Sequence, residues 1–193
     1  DEKDDKYLVS VTVKNVGNVS GKESVQIYAQ QPYTEYDVQN GIEKSAVDLV
    51  GYSKTDILAP GKSEELNVSV DGRWLSSYDS FNAKTYILDA GTYYLTAAKN
   101  ANNAINNILE AKKNKGVSVN SSKMTSSGDK SLVYSVDKEF DNQKYSTSKK
   151  TNNKITNQFD NADLNLYENK GDNSVTYIRS EEHTSELQSR SDL

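Results

Sequence analysis

The sequence predicts a mainly β protein: an antiparallel β-sandwich, then one amphipathic helix, then a long irregular and poorly structured C-terminal segment. Three observations predict it. Apolar and polar residues alternate with period two in several runs between Tyr7 and Ala98. Turn residues (Gly, Pro, Asn and Asp) separate these runs at short intervals. After Asn100 the apolar spacing changes to that of a helix.

The first run, "YLVSVTVK", puts Tyr7, Val9, Val11 and Val13 on one face and Ser10, Thr12 and Lys14 on the other, as in a half-buried strand. "NVGNVSG" follows, and with Gly17 and Gly21 free to take positive φ it reads as a turn that pairs this strand with "ESVQIYAQ", whose Val25, Ile27 and Ala29 face inward. A long polar connection runs from Pro32 to Ala46. "VDLVGYSK" is then a third strand, and its Gly51 suggests a bulge or a close backbone approach. Pro60-Gly61 turns the chain into "SEELNVSV", with Leu66, Val68 and Val70 inward. After an irregular crossing at "DGRWLSSYD", the short strands "TYIL" and "TYYLTAA" flank Asp89-Ala90-Gly91. A buried Tyr93 hydroxyl there would hydrogen-bond backbone at the sheet corner, and Trp74 is expected to plug an open end of the core.

In "ANNAINNILEAKK" the residues Ala101, Ala104, Ile105, Ile108 and Leu109 share one helical face, with Lys112 and Lys113 at the favourable negative end. That face packs on the sandwich or on a neighbour. From residue 114 to residue 178 the chain is rich in Asn, Ser, Thr and Lys, with scattered aromatic residues. Such a segment buries too little to offset the ordering of its backbone, so it reads as an extended interdomain strap lying on another domain. The organisation expected is therefore a sandwich over 1–100, a helix over 101–113, a strap over 114–178 and a tail over 179–193.

Composition excludes several functions. A net charge of −5 and a pI of about 5.0 do not suit duplex nucleic acid, which needs clustered cations to displace counterions. No run approaches the roughly 20 apolar residues of a membrane span. With no cysteine there is neither a disulfide frame nor thiolate chemistry. The start "DEKDDKYL", without Met or signal region, looks like the middle of a longer polypeptide, so localisation stays open: a soluble piece, cytoplasmic or secreted with its parent.

The order "NVGNVSGKESVQIYAQQPYTEYD", "KSAVDLVGYSKTDILAPGKSEELNVSV", "YILDAGTYYL" resembles the fibronectin type III-like (immunoglobulin-like) domain of glycoside hydrolase family 3, the family of β-glucosidases and related exo-acting enzymes. The likeness spans Tyr7 to Lys113. Its strongest pieces are Gly51 with Lys54 running into Leu58-Ala59-Pro60-Gly61, and Asp89-Ala90-Gly91-Thr92-Tyr93-Tyr94. It departs at "DGRWLSSYDS", where members of the family more often carry a second charged residue in place of Trp74. The resemblance implies a parent enzyme that hydrolyses terminal β-D-glucosides or related bonds, built of an α/β sandwich domain and a (β/α)8 barrel besides this one. "ITNQFDNADLNLY" and "SVTYI" look like the link found in members with reversed domain order, which would lead the strap to a barrel missing here.

Retaining glycosidases need two carboxyl groups about 5 to 5.5 Å apart across the scissile bond. In this family the resemblance places both in the other domains. No catalytic residue, cofactor or metal is therefore assigned to this chain, and the fragment itself is not expected to be an enzyme. The candidate functional region is "QPYTEYDVQNGIEKSA", because loops carry function on a sandwich scaffold. Tyr33 and Tyr36 offer flat faces and Asp37 adjoins them, for contact with the catalytic domains or, as a second reading, with carbohydrate. An independent carbohydrate-binding or surface-adhesion module is the alternative function. Asp160, Asp163 and Asn165 faintly suggest a calcium loop but lack its glycine and terminal acid. The triplets at Asn18, Asn67 and Asn120 match the glycosylation pattern, as expected by chance in so Asn-rich a chain.

The end of the chain, "RSEEHTSELQSRSDL", holds the single histidine, His183. It has no apolar face to bury, and it resembles the translation of a common short-read sequencing adapter. Residues 179–193 are accordingly set aside as an artefact of sequencing.

Overall fold

A computed structural model of the chain describes residues 2–3 and 5–156. The DNADLN triad, the end of the strap from residue 157 and the adapter-like tail lie outside the described residues. Among the described residues nine strands form two packed sheets and a hairpin. Sheet one has the order β1 (Glu2–Lys3), β2 (Lys6–Lys14), β5 (Ser63–Asp71). Sheet two has the order β4 (Asp48–Lys54), β3 (Ser24–Gln30), β8 (Gly91–Ala98), β9 (Val133–Lys138). β6 (Ser77–Asp79) and β7 (Thr85–Ile87) pair with each other. All the pairings are antiparallel.

The inward faces of β3 and β5 are those that alternation predicts. Val25, Ile27 and Ala29 from β3 and Leu66, Val68 and Val70 from β5 form one buried cluster with Tyr93, Leu95 and Ala97 of β8 and with Tyr7, Leu75, Leu88 and Tyr145. Gly51 meets both of its expectations. The β3–β4 register shifts between Ile27 and Tyr28, which leaves Val50 as the extra residue of a bulge. A Cβ on Gly51 would also come within 2.8 Å of Val68 Cγ1 on the facing sheet.

Three expectations are corrected. β2 does not pair with β3; it pairs with β5 along its whole length, from Lys6↔Asp71 to Lys14↔Ser63. The connecting segment crosses between sheets, because Asn15 fastens it to the turn before β5: its side-chain amide donates to the carbonyls of Val19 and Leu58, and its backbone carbonyl accepts from Gly61. The crossing lets the apolar faces of β2 and β3 bury each other rather than lie side by side. Gly17 and Gly21 accordingly do not take positive φ; Gly61, in the fastened turn, does, at 75°. Trp74 does not plug the core. It is 64% exposed, and Leu75 of the same 3-10 turn, Gly72–Leu75, is buried instead.

After β8, Asn100 caps helix α2 (Ala101–Asn114) by accepting from the Asn103 amide. Of the two expected resting places for α2, the described residues supply the sandwich: Ala104, Ile108 and Ala111 are buried, and Asn107 bonds to Thr96 and Ala97 of β8. The polar segment that follows is not wholly irregular in its first part. It turns back through residues 121–132 and supplies β9, which pairs with β8 from Gly91↔Lys138 to Thr96↔Val133. The chain then runs past Phe140, and Tyr145 inserts into the core.

Candidate functional site: the 31–46 loop and the ion cluster beneath it

The long connection between β3 and β4 contains one short helix, α1 (Glu35–Gln39). Thr34 caps it, and the cap is reciprocal: the Thr34 hydroxyl accepts from the Asp37 amide, while Asp37 Oδ2 accepts from the Thr34 amide at 2.6 Å. Forming this box turns the Asp37 carboxylate inward, where it is fully buried.

Burying a carboxylate demands a counter-charge, and Lys44 supplies it from the far arm of the same loop. Lys44 Nζ lies 2.8 Å from Asp37 Oδ1 and 2.5 Å from Asp89 Oδ2, and donates to the Pro32 carbonyl at 2.9 Å. The Lys44 side chain is itself only 5% exposed. One cation thus joins two carboxylates that are far apart in sequence, which pins both arms of the loop to the corner before β8. Asp89 Oδ1 has no hydrogen-bond partner among the described residues. Burial raises the Asp89 carboxyl above its ordinary value, and the Lys44 ammonium offsets this only in part.

Asp89 also anchors the corner itself. Its amide donates to the Tyr93 hydroxyl at 2.8 Å, and that hydroxyl donates back to the Asp89 carbonyl at 3.3 Å, as the Asp-Ala-Gly-Thr-Tyr pattern predicts. Burial pushes the Tyr93 phenol well above its usual value. Gly91, at φ 138°, lets this corner pass Pro32, whose Cβ would lie 3.0 Å from a Cβ there.

A third carboxylate fixes the loop's outer side. Asp79 accepts from the Tyr36 hydroxyl at 2.6 Å and from the amides of Phe81, Asn82 and Ala83. Burial alone would raise the Asp79 carboxyl; the bonds from Tyr36 and from the three amides outweigh burial and hold it low. The Tyr36 ring meets Phe140 at 5.2 Å between centroids.

The three residues singled out from sequence therefore have different places. Tyr33 is exposed (59%), Tyr36 has its hydroxyl committed to Asp79 and Asn82, and Asp37 lies underneath with no access to a partner. Around α1 the exposed apolar side chains are Val38, Phe81 and Phe140, besides Tyr33. Phe81 and Phe140 were not singled out; one lies across a turn and the other beyond the helix, and no local spacing ties them to the loop. Nor does local spacing reveal Lys44 and Asp89, one lysine and one aspartate among many. Among the described residues no group of three or more His, Cys, Asp or Glu could hold a metal ion. Of the three buried carboxylates, Asp37 and Asp89 are held by Lys44, and Asp79 by the Tyr36 hydroxyl and backbone amides.

Residues 23–101 match the family described as fibronectin type III-like domain. This segment is a fibronectin type III-like domain. The match begins just before β3 and ends at the start of α2, so β1, β2 and β9 complete the domain's two sheets from outside the matched span. The β-glucosidase of Ruminococcus albus is 33% identical over 105 residues, which is 52% of this chain and 10% of that protein. β-Glucosidase A of Butyrivibrio fibrisolvens is 34% identical over 93 residues, 47% of this chain and 10% of that protein. Among solved structures, the β-glucosidase of Paenibacillus barengoltzii shares 31% identity with a TM-score of 0.43, over 50% of this chain and 10% of the other. β-Glucosidase 3B of Thermotoga neapolitana shares 28% with a TM-score of 0.43, over 52% and 13%. The fibronectin type III-like domain is thus the part this chain shares with β-glucosidases, and its matched region spans 10% of the length of the first two relatives.

Proposed function

We propose that the chain is an accessory, scaffolding domain of a family 3 glycoside hydrolase, which holds catalytic domains of the same polypeptide in place and performs no hydrolysis itself. The observation that carries this reading is the match of the sandwich, and of the sandwich alone, to a small part of two β-glucosidases. The parent enzyme would hydrolyse terminal β-D-glucosides or related bonds with an α/β sandwich domain and a barrel outside this chain. The docking face would be the surface around α1, where Tyr33, Val38, Phe81 and Phe140 are exposed. Asp37 and Lys44 serve from beneath by making the loop rigid, which spares an interface the entropy of ordering it.

The chain alone is expected neither to cleave an aryl β-glucoside nor to bind glucan. In the full-length polypeptide, Tyr33→Ser combined with Phe81→Ser should speed limited proteolysis between domains and leave the isolated domain's melting unchanged. An independent carbohydrate-binding module is the competing reading, and the exposed indole of Trp74 is the feature that favours it. Saturable glucan binding that Trp74→Ala abolishes would replace the scaffolding reading with that one.

A further inference from the structure

We infer that Asn40 is a self-modification site of the 31–46 loop: its carboxamide is lost to attack by the Gly41 nitrogen, and the carboxylate that replaces it loosens the loop from the ion cluster. Asn40 is the one asparagine in the sequence that a glycine follows. The end of α1 imposes this pairing. Asn40 is the C-cap, and Gly41 after it takes φ 61°, the left-handed conformation with which helices commonly end and which favours glycine. Without a side chain, the Gly41 nitrogen can approach a neighbouring carbonyl carbon with no substituent in the way. It is also loosely held. Its hydrogen bond to the Val38 carbonyl is 3.5 Å long, whereas the amides on either side, Asn40 and Ile42, bond to the Tyr36 and Asp37 carbonyls at 3.0 and 2.9 Å. Gly41 is exposed to solvent, and Asn40 is partly so.

The step needs only water. The Gly41 nitrogen gives up its proton to hydroxide and bonds to Cγ of Asn40; the Cγ–Nδ2 bond breaks, and Nδ2 takes a proton from water and leaves as ammonia. Because the reacting atoms are tethered on adjacent residues, even so weak a nucleophile as an amide suffices. Water then opens the cyclic imide at either carbonyl. One opening leaves an ordinary aspartate, and the other an isoaspartate, whose main chain runs through the former side chain and is one carbon longer. The brake in the folded chain is a single bond, from Asn40 Nδ2 to the Tyr36 carbonyl at 2.8 Å.

The product cannot restore what held the loop. A carboxylate in place of the carboxamide has no proton to donate to the Tyr36 carbonyl, so two acceptors are left facing each other. It also stands three residues after Asp37 at the end of the same short helix, at the spacing of neighbours on a helix surface, where like charges repel. Asp37 and Asp89 already share the one cation of Lys44. The longer backbone of the isoaspartate shifts Gly41 against the Phe81 ring, which a Cβ on Gly41 would meet at 3.5 Å.

The test is to hold the 193-residue chain at mildly alkaline pH and digest it with trypsin at intervals. The peptide from Glu23 to Lys44 contains no other asparagine, so a gain of the mass that separates a carboxyl from a carboxamide, placed by fragmentation, reports Asn40. The product should elute as two forms, aspartate and isoaspartate. Asn120, which is exposed and followed by Ser121, should still keep its carboxamide when Asn40 has lost its own. Amide exchange in residues 31–46 should rise at least roughly tenfold in the converted chain, with β8 unchanged. Asn40→Asp should show the charge part of that rise without ageing. Asn40→Gln, whose ring would have to be larger, should keep its carboxamide over the same period. An Asn40 that does not convert, or an Asn120 that converts as fast, would overturn the site. Conversion that leaves exchange in residues 31–46 unchanged would overturn its effect. The chemistry belongs to the loop alone, so the glucoside and glucan assays can fail without touching it.

Discussion

Two polar segments fold back over this domain, and they are held by opposite means. The 31–46 loop is held by charge: Asp37 and Asp89 are buried around Lys44, and the cluster carries one more negative group than positive. The return after α2 is held by neutral amides. Asn106 is buried and bonds through both ends of its carboxamide, donating to Thr125 and Ser126 and accepting from the Thr125 amide. Asn107 donates to Thr96 and to the Ala97 carbonyl and accepts from the Asp129 amide. A carboxamide satisfies donors and acceptors without a net charge to desolvate, whereas a buried ion cluster depends on each charge keeping an opposite partner. The loop should thus respond to lost charge and to pH, and the return should respond to lost shape.

The largest effect expected is at Lys44. Lys44→Met leaves two buried carboxylates without a cation, which costs about 3 to 5 kcal/mol in urea denaturation. A loss below about 1 kcal/mol would mean that the loop is not held by charge. Next is Asn107→Ala, which strands Thr96, the Ala97 carbonyl and the Asp129 amide and should cost about 1 to 3 kcal/mol in the same experiment. Amide exchange should rise first in residues 125–132 and leave the 31–46 loop unaffected.

A smaller effect separates the two segments by pH. Because the Asp89 carboxyl is raised above 3.8, the folded chain holds its proton more tightly than the unfolded chain does. That contribution is complete below the ordinary carboxylate value and is lost as the pH rises through the raised one. The loop should therefore tighten as the pH falls from neutrality toward the ordinary value, as read by amide exchange corrected for its intrinsic pH dependence. Asp79 and Asp71 are held low, so what they contribute is lost only below the ordinary value, outside that window. Asp89→Asn should flatten the trend, and the return at residues 121–129 should show none. A loop that loosens over this range would contradict the account of the cluster. The smallest effect is at Trp74: Trp74→Ala should change stability by no more than about 0.5 kcal/mol, since the ring is mostly in solvent.

The residues that were legible in advance are those whose signal is local. Alternation assigned the inward faces of β3 and β5, the change of period located α2, and the spacing from Asp89 to Tyr93 placed the tyrosine at the corner. The two buried asparagines were harder to see, because the helical face was read from apolar residues alone, and a polar residue counts against burial until its partners are known. Trp74 misled for the converse reason: a large apolar side chain counts toward burial, but in the 3-10 turn it is Leu75 that turns inward and Trp74 that stays outside.

By itself the sequence determined that this is a β-sandwich with a helix after it, which residues of β3 and β5 face inward, and which family its central region matches. Those properties depend on the period of side chains along one stretch of backbone and on short patterns within it. Tertiary structure alone decided that β2 pairs with β5 and not β3, that part of the polar return becomes β9, and that Asp37, Lys44 and Asp89 meet. Alternation tells a strand which face is buried but not which neighbour covers its edges, and a charge acquires a partner only when distant segments are brought within a few ångströms in a dry interior.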